Sequence, residues 1–272
     1  MIPTATDTVR IEVVDRVGVL TFNRPERRNA LHDEMYGAMI AAVESFAADP
    51  DVGCVVVTGE GSAFCAGGDV RDGSGRRPDG SRPTPEERVA NLTANGRLSV
   101  VLHEAPILTI AALNGAAVGA GLSIALACDF RIAASSAKVV GGWARLAFSG
   151  DFGGAWLLAQ RVGPSRALEL LVSNRTVDAA EALSLGLVDR VVDDADFPSA
   201  WRAWSAELAS GPKAAIGCMK QNVGDAAHLP FADAIAAEAV RMVASAQTDD
   251  HREAVRALVD KREPRFGRPP PG

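Results

Sequence analysis

Two short glycine-rich segments hold the residue types best suited to grip a reacting oxygen atom. Phe64-Cys65-Ala66-Gly67-Gly68-Asp69-Val70 and Asn114-Gly115-Ala116-Ala117-Val118-Gly119-Ala120-Gly121 each follow a run rich in Val, Ile or Ala and lead toward a helical pattern. With so little side chain in the way, backbone N–H groups there can approach a ligand closely. A helix N-terminus adds unpaired donors and partial positive charge. Two such N–H groups converging on one carbonyl oxygen would form an oxyanion hole for an enolate or a tetrahedral intermediate. Either segment alone reads better as close helix–strand packing, and the occurrence of both on consecutive units shifts the balance toward chemistry. Other chemistries leave little trace. The chain has no GxxxxGK[ST], no GxGxxG after a strand and no GxSxG. Its four His (His32, His103, His228, His251) and four Cys (Cys54, Cys65, Cys128, Cys218) lack metal-ligand spacing, so no metal is expected.

The elements that must position these segments follow one grammar of strand, Gly-containing turn and helix. Val9 to Thr21 reads as two strands turning at Asp15-Arg16, and Leu31, Met35, Met39, Ala42, Val43 and Phe46 recur at helical spacing within 30–48. Strands are expected at 52–58, 107–113, 129–133 and 188–192. Helices are expected at 86–103, from the second glycine segment to Ala127, and at 156–161, 165–172 and 179–185. Segment 72–85 is rich in Gly, Arg, Pro and Ser and reads as mobile, and a second glycine-rich loop covers 140–154. Alternating strands and helices make an α/β core over residues 1–197. A helical region follows at 198–263, with a Pro-rich tail at 264–272.

Composition bounds the function. Of 272 residues, 47% are hydrophobic and 23% charged, which excludes wholesale disorder. Lys and Arg number 28 against 34 Asp and Glu, a net charge of −6, which argues against a nucleic-acid or anionic-membrane partner. Met1 to Arg10 lacks the apolar stretch of a secretory signal. Ala111 to Cys128 is nearly uncharged, but Asn114 and its glycines interrupt it and Asp129 and Arg131 close it, so a buried unit is expected in place of a membrane span. Scattered cysteines without CxxC suit a reduced cytoplasm.

A family resemblance emerges from several motifs in order. Asn23-Arg24-Pro25 with Asn29-Ala30-Leu31, Phe64-x-Ala66-Gly67-x-Asp69, Asn114-Gly115 with Gly119-x-Gly121, Ala127 to Ala133, Gly153-Gly154, Val162-Gly163, Glu181-Ala182-x3-Gly186-Leu187-Val188 and Lys261-Arg262 together resemble the enoyl-CoA hydratase/isomerase (crotonase) superfamily. The resemblance spans nearly the whole chain. It implies an α/β crotonase-like spiral of ββα units with a C-terminal helical trimerisation region, a homotrimer or a dimer of trimers. It also implies an acyl-CoA thioester substrate with no separate cofactor, coenzyme A being part of the substrate. By position, the oxyanion donors would be the N–H groups of Gly68 and Ala120. Arg28, Ala30, Ala66, Asp69, Val70 and Lys261 would lie along the CoA moiety. Read alone, Arg28 is an ordinary solvated arginine and Lys261 a basic residue at a helix end.

The sequence departs from the family at the residues that would decide the reaction. Hydratases of this family use two Glu residues, and the matching positions here are Ser123 and Trp143. Neither side chain is a general base near neutral pH. Asp151 is the nearby carboxylate, at a loop position where isomerases of the family carry an acid/base Asp. Burial among Phe148, Phe152 and Trp156 would raise its pKa; alternatively it caps a helix starting at Phe152. The resemblance therefore implies double-bond isomerisation by a single carboxylate. The alternatives are hydration, CoA binding with little catalysis, and a reaction like that of 4-chlorobenzoyl-CoA dehalogenases, which share a Trp and Asp pair matching Trp143 and Asp151. Those dehalogenases also place a His on the helix after the first loop, and His103 falls later in that helix than the position they use.

Overall fold

A computed structural model describes residues 6–69 and 81–267. Val70, most of the segment expected to be mobile, and the end of the Pro-rich tail lie outside the described residues. The chain runs β1 (Val9–Val14), β2 (Val17–Phe22), α1 (Asp33–Ala48), β3 (Cys54–Gly59), β4 (Ala63–Cys65), α2 (Pro85–Glu104), β5 (Leu108–Leu113), β6 (Ala116–Val118), α3 (Ala120–Ala127), β7 (Phe130–Ala134) and β8 (Lys138–Val140). It continues through α4 (Gly154–Val162), α5 (Pro164–Ser173), β9 (Thr176–Asp178), α6 (Ala179–Ser184), β10 (Arg190–Val192), α7 (Phe197–Ala209), α8 (Lys213–Asp225), α9 (Phe231–Ser245) and α10 (Asp249–Asp260).

Six strands form one sheet in the order β1-β2-β3-β5-β7-β10, parallel throughout except for the β1–β2 hairpin. The hairpin turns at Asp15 and Arg16, both left-handed at φ 49° and 66°. β2 is buried along its whole length, as is β3 up to its last residue. That explains their unbroken Val-rich runs: helices cover both faces of a parallel sheet, so no polar alternation is selected. α1 turns Met35, Met39, Ala42, Val43 and Phe46 into the core, and α7 adds Phe197, Trp201 and Trp204.

A second sheet, β4-β6-β8-β9, was not anticipated from the sequence. Each of its strands is three residues long, too short for alternation to register as a pattern. β4 and β6 pair in parallel, each immediately ahead of one of the two glycine turns. The helix expected to begin directly after Asn114-Gly115 is thus preceded by a strand. α8, α9 and α10 follow the core as expected, and α9 buries none of its residues. No helix among the described residues is long and apolar enough to cross a membrane.

Candidate active site

The first glycine segment is locked by the Asn23-to-Leu31 motif. Arg28 and Asn29 take consecutive left-handed conformations, φ 50° and 57°, which folds Asn29 inward to complete burial. Its Oδ1 accepts from the Arg24 N–H at 2.9 Å, and its Nδ2 donates to the carbonyls of Glu60 at 2.9 Å and Ala63 at 2.7 Å. The Arg24 guanidinium donates to the Ala30 carbonyl at 2.7 Å and to the buried Asp69 carboxylate at 3.0 Å. Asp69 therefore holds the loop through Arg24. Leu31 donates to the Gly67 carbonyl at 2.8 Å, and Asp69 N–H donates to the Leu31 carbonyl at 3.1 Å. In such a bridge the intervening residue points its polar groups the other way. The Gly68 N–H accordingly donates to no backbone oxygen among the described residues.

Gly67 is where the two glycine segments meet. It is left-handed at φ 87°, and a Cβ on it would lie 2.9 Å from the Val118 carbonyl oxygen and 3.6 Å from the Ala120 nitrogen. Ala120 opens the wholly buried α3, so its N–H is one of the unpaired donors of a helix start. The structure thus brings the Gly68 and Ala120 segments side by side. Arg28, Ala30, Ala66, Gly68 and Asp69 line one cavity of about 390 Å³. Lys261 is exposed in the left-handed turn that ends α10 and does not line this cavity.

Asp151 is held from both ends. The Trp143 indole Nε1–H donates to its Oδ1 at 2.8 Å, and the Ser123 hydroxyl donates to its backbone carbonyl at 3.0 Å. Ser123 is fully buried one turn into α3, so the helix that presents the Ala120 N–H also fixes the loop of the carboxylate. Asp151 is not a helix cap. α4 begins at Gly154 with Gly153 as its cap residue, and the carboxylate binds Trp143 instead. Burial raises the Asp151 pKa above the usual carboxylate range, opposed by the Trp143 hydrogen bond to the ionised form. The apolar surroundings differ from those expected. Phe148 is 55% exposed, whereas Phe152 is buried and stacks on Tyr36 with centroids 5.5 Å apart. Burial, with the nearby negative charge of Asp33 and Asp151, keeps the Tyr36 hydroxyl protonated.

Asp151 opens into a largely apolar groove of about 850 Å³ between α2 and α4, both of which pack on α3. α2 contributes Val89, Leu92, Gly96, Ser99, Val100 and His103, and the other wall includes Phe152, Trp156 and Leu157. The His103 and Trp156 rings meet edge to face at 5.6 Å. His103 therefore faces the same groove as Asp151 despite its late position on the helix. Ser99, Tyr36 and His103 carried no motif; the i, i+3, i+4 spacing from Val89 to His103 was the available signal, a second semi-apolar face on α2.

The chain matches the enoyl-CoA hydratase/isomerase family over residues 12–269. A Rhodobacter capsulatus protein named "Probable enoyl-CoA hydratase" is 36% identical over 95% of this chain and 97% of its own length. The 1,2-epoxyphenylacetyl-CoA isomerase of Escherichia coli is 33% identical over 92% and 94%. A Thermobifida fusca protein solved in complex with acetoacetyl-CoA superposes with a TM-score of 0.81 at 32% identity, over 90% of this chain and 98% of its own.

Proposed function

The chain belongs to the enoyl-CoA hydratase/isomerase family, and on that premise we propose that it isomerises an acyl-CoA thioester with Asp151 as its single acid/base. The observation that carries this is the Trp143–Asp151 pair: a partly buried carboxylate of raised pKa, oriented by one hydrogen bond and facing the groove beside the start of α3. The Gly68 and Ala120 N–H groups would receive the thioester oxygen. Their donation lowers the pKa of the neighbouring carbon and stabilises the dienolate formed when Asp151 removes a proton. The protonated Asp151 then returns that proton to another carbon of the same dienolate, so the double bond moves with no net addition of water. One base suffices for both transfers. The CoA portion would run past Arg28, Ala30 and Ala66 toward the smaller cavity.

Hydration is disfavoured because the two positions matching the family's Glu pair are Ser123, spent on the Asp151 carbonyl, and Trp143, spent on its carboxylate. Lys261, exposed at the end of α10 and lining neither cavity, would meet a CoA phosphate held by an adjoining copy. The exposed apolar side chains of α9 and α10, among them Phe231, Val240, Met242, Leu258 and Val259, support assembly of copies through the C-terminal helices.

The test compares wild type with Asp151→Asn on 3-enoyl-, 2-enoyl- and 4-chlorobenzoyl-CoA. The expected result is interconversion of 3- and 2-enoyl thioesters that falls about 10²–10⁴-fold in the variant, the range for loss of a general base. Water addition to 2-enoyl-CoA that survives Asp151→Asn would overturn the proposal, and chloride release would assign Asp151 a nucleophilic role instead.

A further inference from the structure

One polar group in the groove wall has no role in that proton transfer. Ser99, on the groove side of α2, is 7% exposed, and its Oγ has no hydrogen-bond partner among the described residues. Buried hydroxyls are ordinarily paired, and in a helix a serine commonly satisfies itself on the carbonyl four residues back; Ser99 does not. Four residues on, His103 lies on the same face of α2, and side chains so spaced are neighbours about 5–6 Å apart at Cβ. Both residues line the groove that Asp151 enters, and the rest of the wall is dominated by Val89, Leu92, Val100, Phe152, Trp156 and Leu157. Between them and Val89, Gly96 leaves a notch, since a Cβ there would meet nothing within 4 Å. A hydroxyl and an imidazole one turn apart make a small polar patch in a largely apolar wall, on which Thr93, Arg97 and Glu104 are the other polar residues of α2.

The end of the groove that holds this patch can be located. Arg161, in the last turn of α4, donates to the Asp129 carbonyl at 3.2 Å, just past the C-terminus of α3. The Lys220 ammonium, on α8, ties the Leu102 carbonyl to the Asp129 carboxylate. The C-terminal ends of α2, α3 and α4 therefore lie together. Ala120 and the Ser123–Asp151 contact belong to the opposite, N-terminal end of α3. α3 has eight residues and so spans about 12 Å. His103, beside Leu102, thus faces the groove at the end away from the Ala120 N–H, against Trp156 of α4, and Ser99 lies one turn nearer to that N–H.

We propose that Ser99 and His103 form a distal polar subsite, and that the acyl group this enzyme accepts carries an oxygen substituent, a hydroxyl or keto group, well removed from its thioester. The inference rests on the acyl-CoA reading above. The substituent oxygen would accept from, or donate to, the Ser99 hydroxyl, with the imidazole as second partner. Burial and the nearby Lys220 depress the His103 pKa, so the ring is neutral at pH 7 and offers one donor and one acceptor. The remaining wall would pack the apolar body of the acyl group.

The test measures binding of two matched pairs by calorimetry: phenylacetyl-CoA against 4-hydroxyphenylacetyl-CoA, and octanoyl-CoA against 8-hydroxyoctanoyl-CoA. Wild type should favour at least one hydroxylated member by about 10-fold, the value of one net hydrogen bond. Ser99→Ala and His103→Phe should each reduce that preference several-fold, with little change for the plain partner. Thermal unfolding supplies an independent readout. Because the Ser99 hydroxyl has no partner in the free protein, Ser99→Ala should leave Tm unchanged or raise it; a hydroxyl with a structural role would lower it. Equal binding of both members of each pair by wild type overturns the distal subsite and leaves the acyl-CoA reading intact. A preference that survives both substitutions overturns it equally, and failure of all four thioesters to bind overturns the acyl-CoA reading as well.

Discussion

Replacing Trp143 with Phe isolates the hydrogen bond on which the proposed acid/base depends. The indole Nε1 donates to Asp151 Oδ1 at 2.8 Å, and only the ionised carboxylate gains fully from that donor. Removing it therefore raises a pKa that burial already holds above the usual range. A hydrogen bond to a charged group contributes about 1.5–3 kcal/mol. Asp151 is only partly buried, so solvent screening halves this to roughly 0.8–1.5 kcal/mol. At 1.36 kcal/mol per pKa unit, the shift is about one unit upward. The assay is the pH dependence of kcat/KM, whose acid limb reports the free enzyme's essential base. Expected is a limb displaced about one pH unit upward in Trp143→Phe, with the remaining loss at high pH measuring misorientation of the carboxylate. Loss of the larger ring also leaves a cavity beside Gly154, so the unfolding midpoint should fall, by about 1–2 kcal/mol in stability. An acid limb that stays in place, or moves down, in a variant that is still folded refutes the assignment of Asp151 as the titrating base.

Asp151→Asn should be more stable than wild type at neutral pH although inactive. The raised native pKa means that the protonated acid is the better fit. Its stabilisation is complete below the unfolded value near 3.9 and is lost as pH rises through the native value. Parallel melts should show the variant's Tm gaining on wild type between acid and neutral pH, by about 1–3 °C at this size; parallel curves would contradict the raised pKa. Gly154→Ala forces a Cβ to 2.5 Å from Ser123 Oγ and 2.6 Å from the Trp143 ring. It should cost about 1–3 kcal/mol in urea unfolding and lower kcat more than it raises KM. Asn29→Ala removes three hydrogen bonds of a fully buried side chain, which should cost about 3 kcal/mol and weaken CoA thioester binding by loosening the Gly68 loop.

How far the sequence discloses this arrangement depends on the length scale of each feature. The six-stranded sheet and α1 were legible because Val-rich runs and the Leu31-to-Phe46 periodicity extend over many residues. The β4-β6-β8-β9 sheet was not, since three-residue strands acquire their identity from pairing alone. The glycine segments announced themselves because small residues in series are rare without a backbone reason, and their convergence at Gly67 is that reason. Asp151 stood out only against the family pattern, and its helix-cap reading failed because Trp143 competes for the carboxylate. Ser99 and His103 were illegible for a different cause. Polar residues on a helix read as a solvated face, and only the packing of α2 and α4 on α3 turns that face toward a groove.

Ser123 and Trp143 cannot be read as two independent losses of a carboxylate. Gly154 packs where any Cβ would strike both the Ser123 hydroxyl and the Trp143 ring. The indole is 4% exposed, filling the space left by two small neighbours, Gly119 and Gly154. The hydroxyl, too short to reach a substrate, reaches the Asp151 carbonyl instead. These residues therefore form one packed unit whose product is a single oriented carboxylate beside the N-terminus of α3. Placing Glu at position 123 would set a charged, longer side chain against Gly154 and the indole, and placing Glu at 143 would empty the space that the indole fills and remove the Asp151 donor. Each substitution taken alone undermines the other's support, so the two positions constrain each other physically. Packing, as much as the identity of the base, therefore supports the proposed one-carboxylate chemistry.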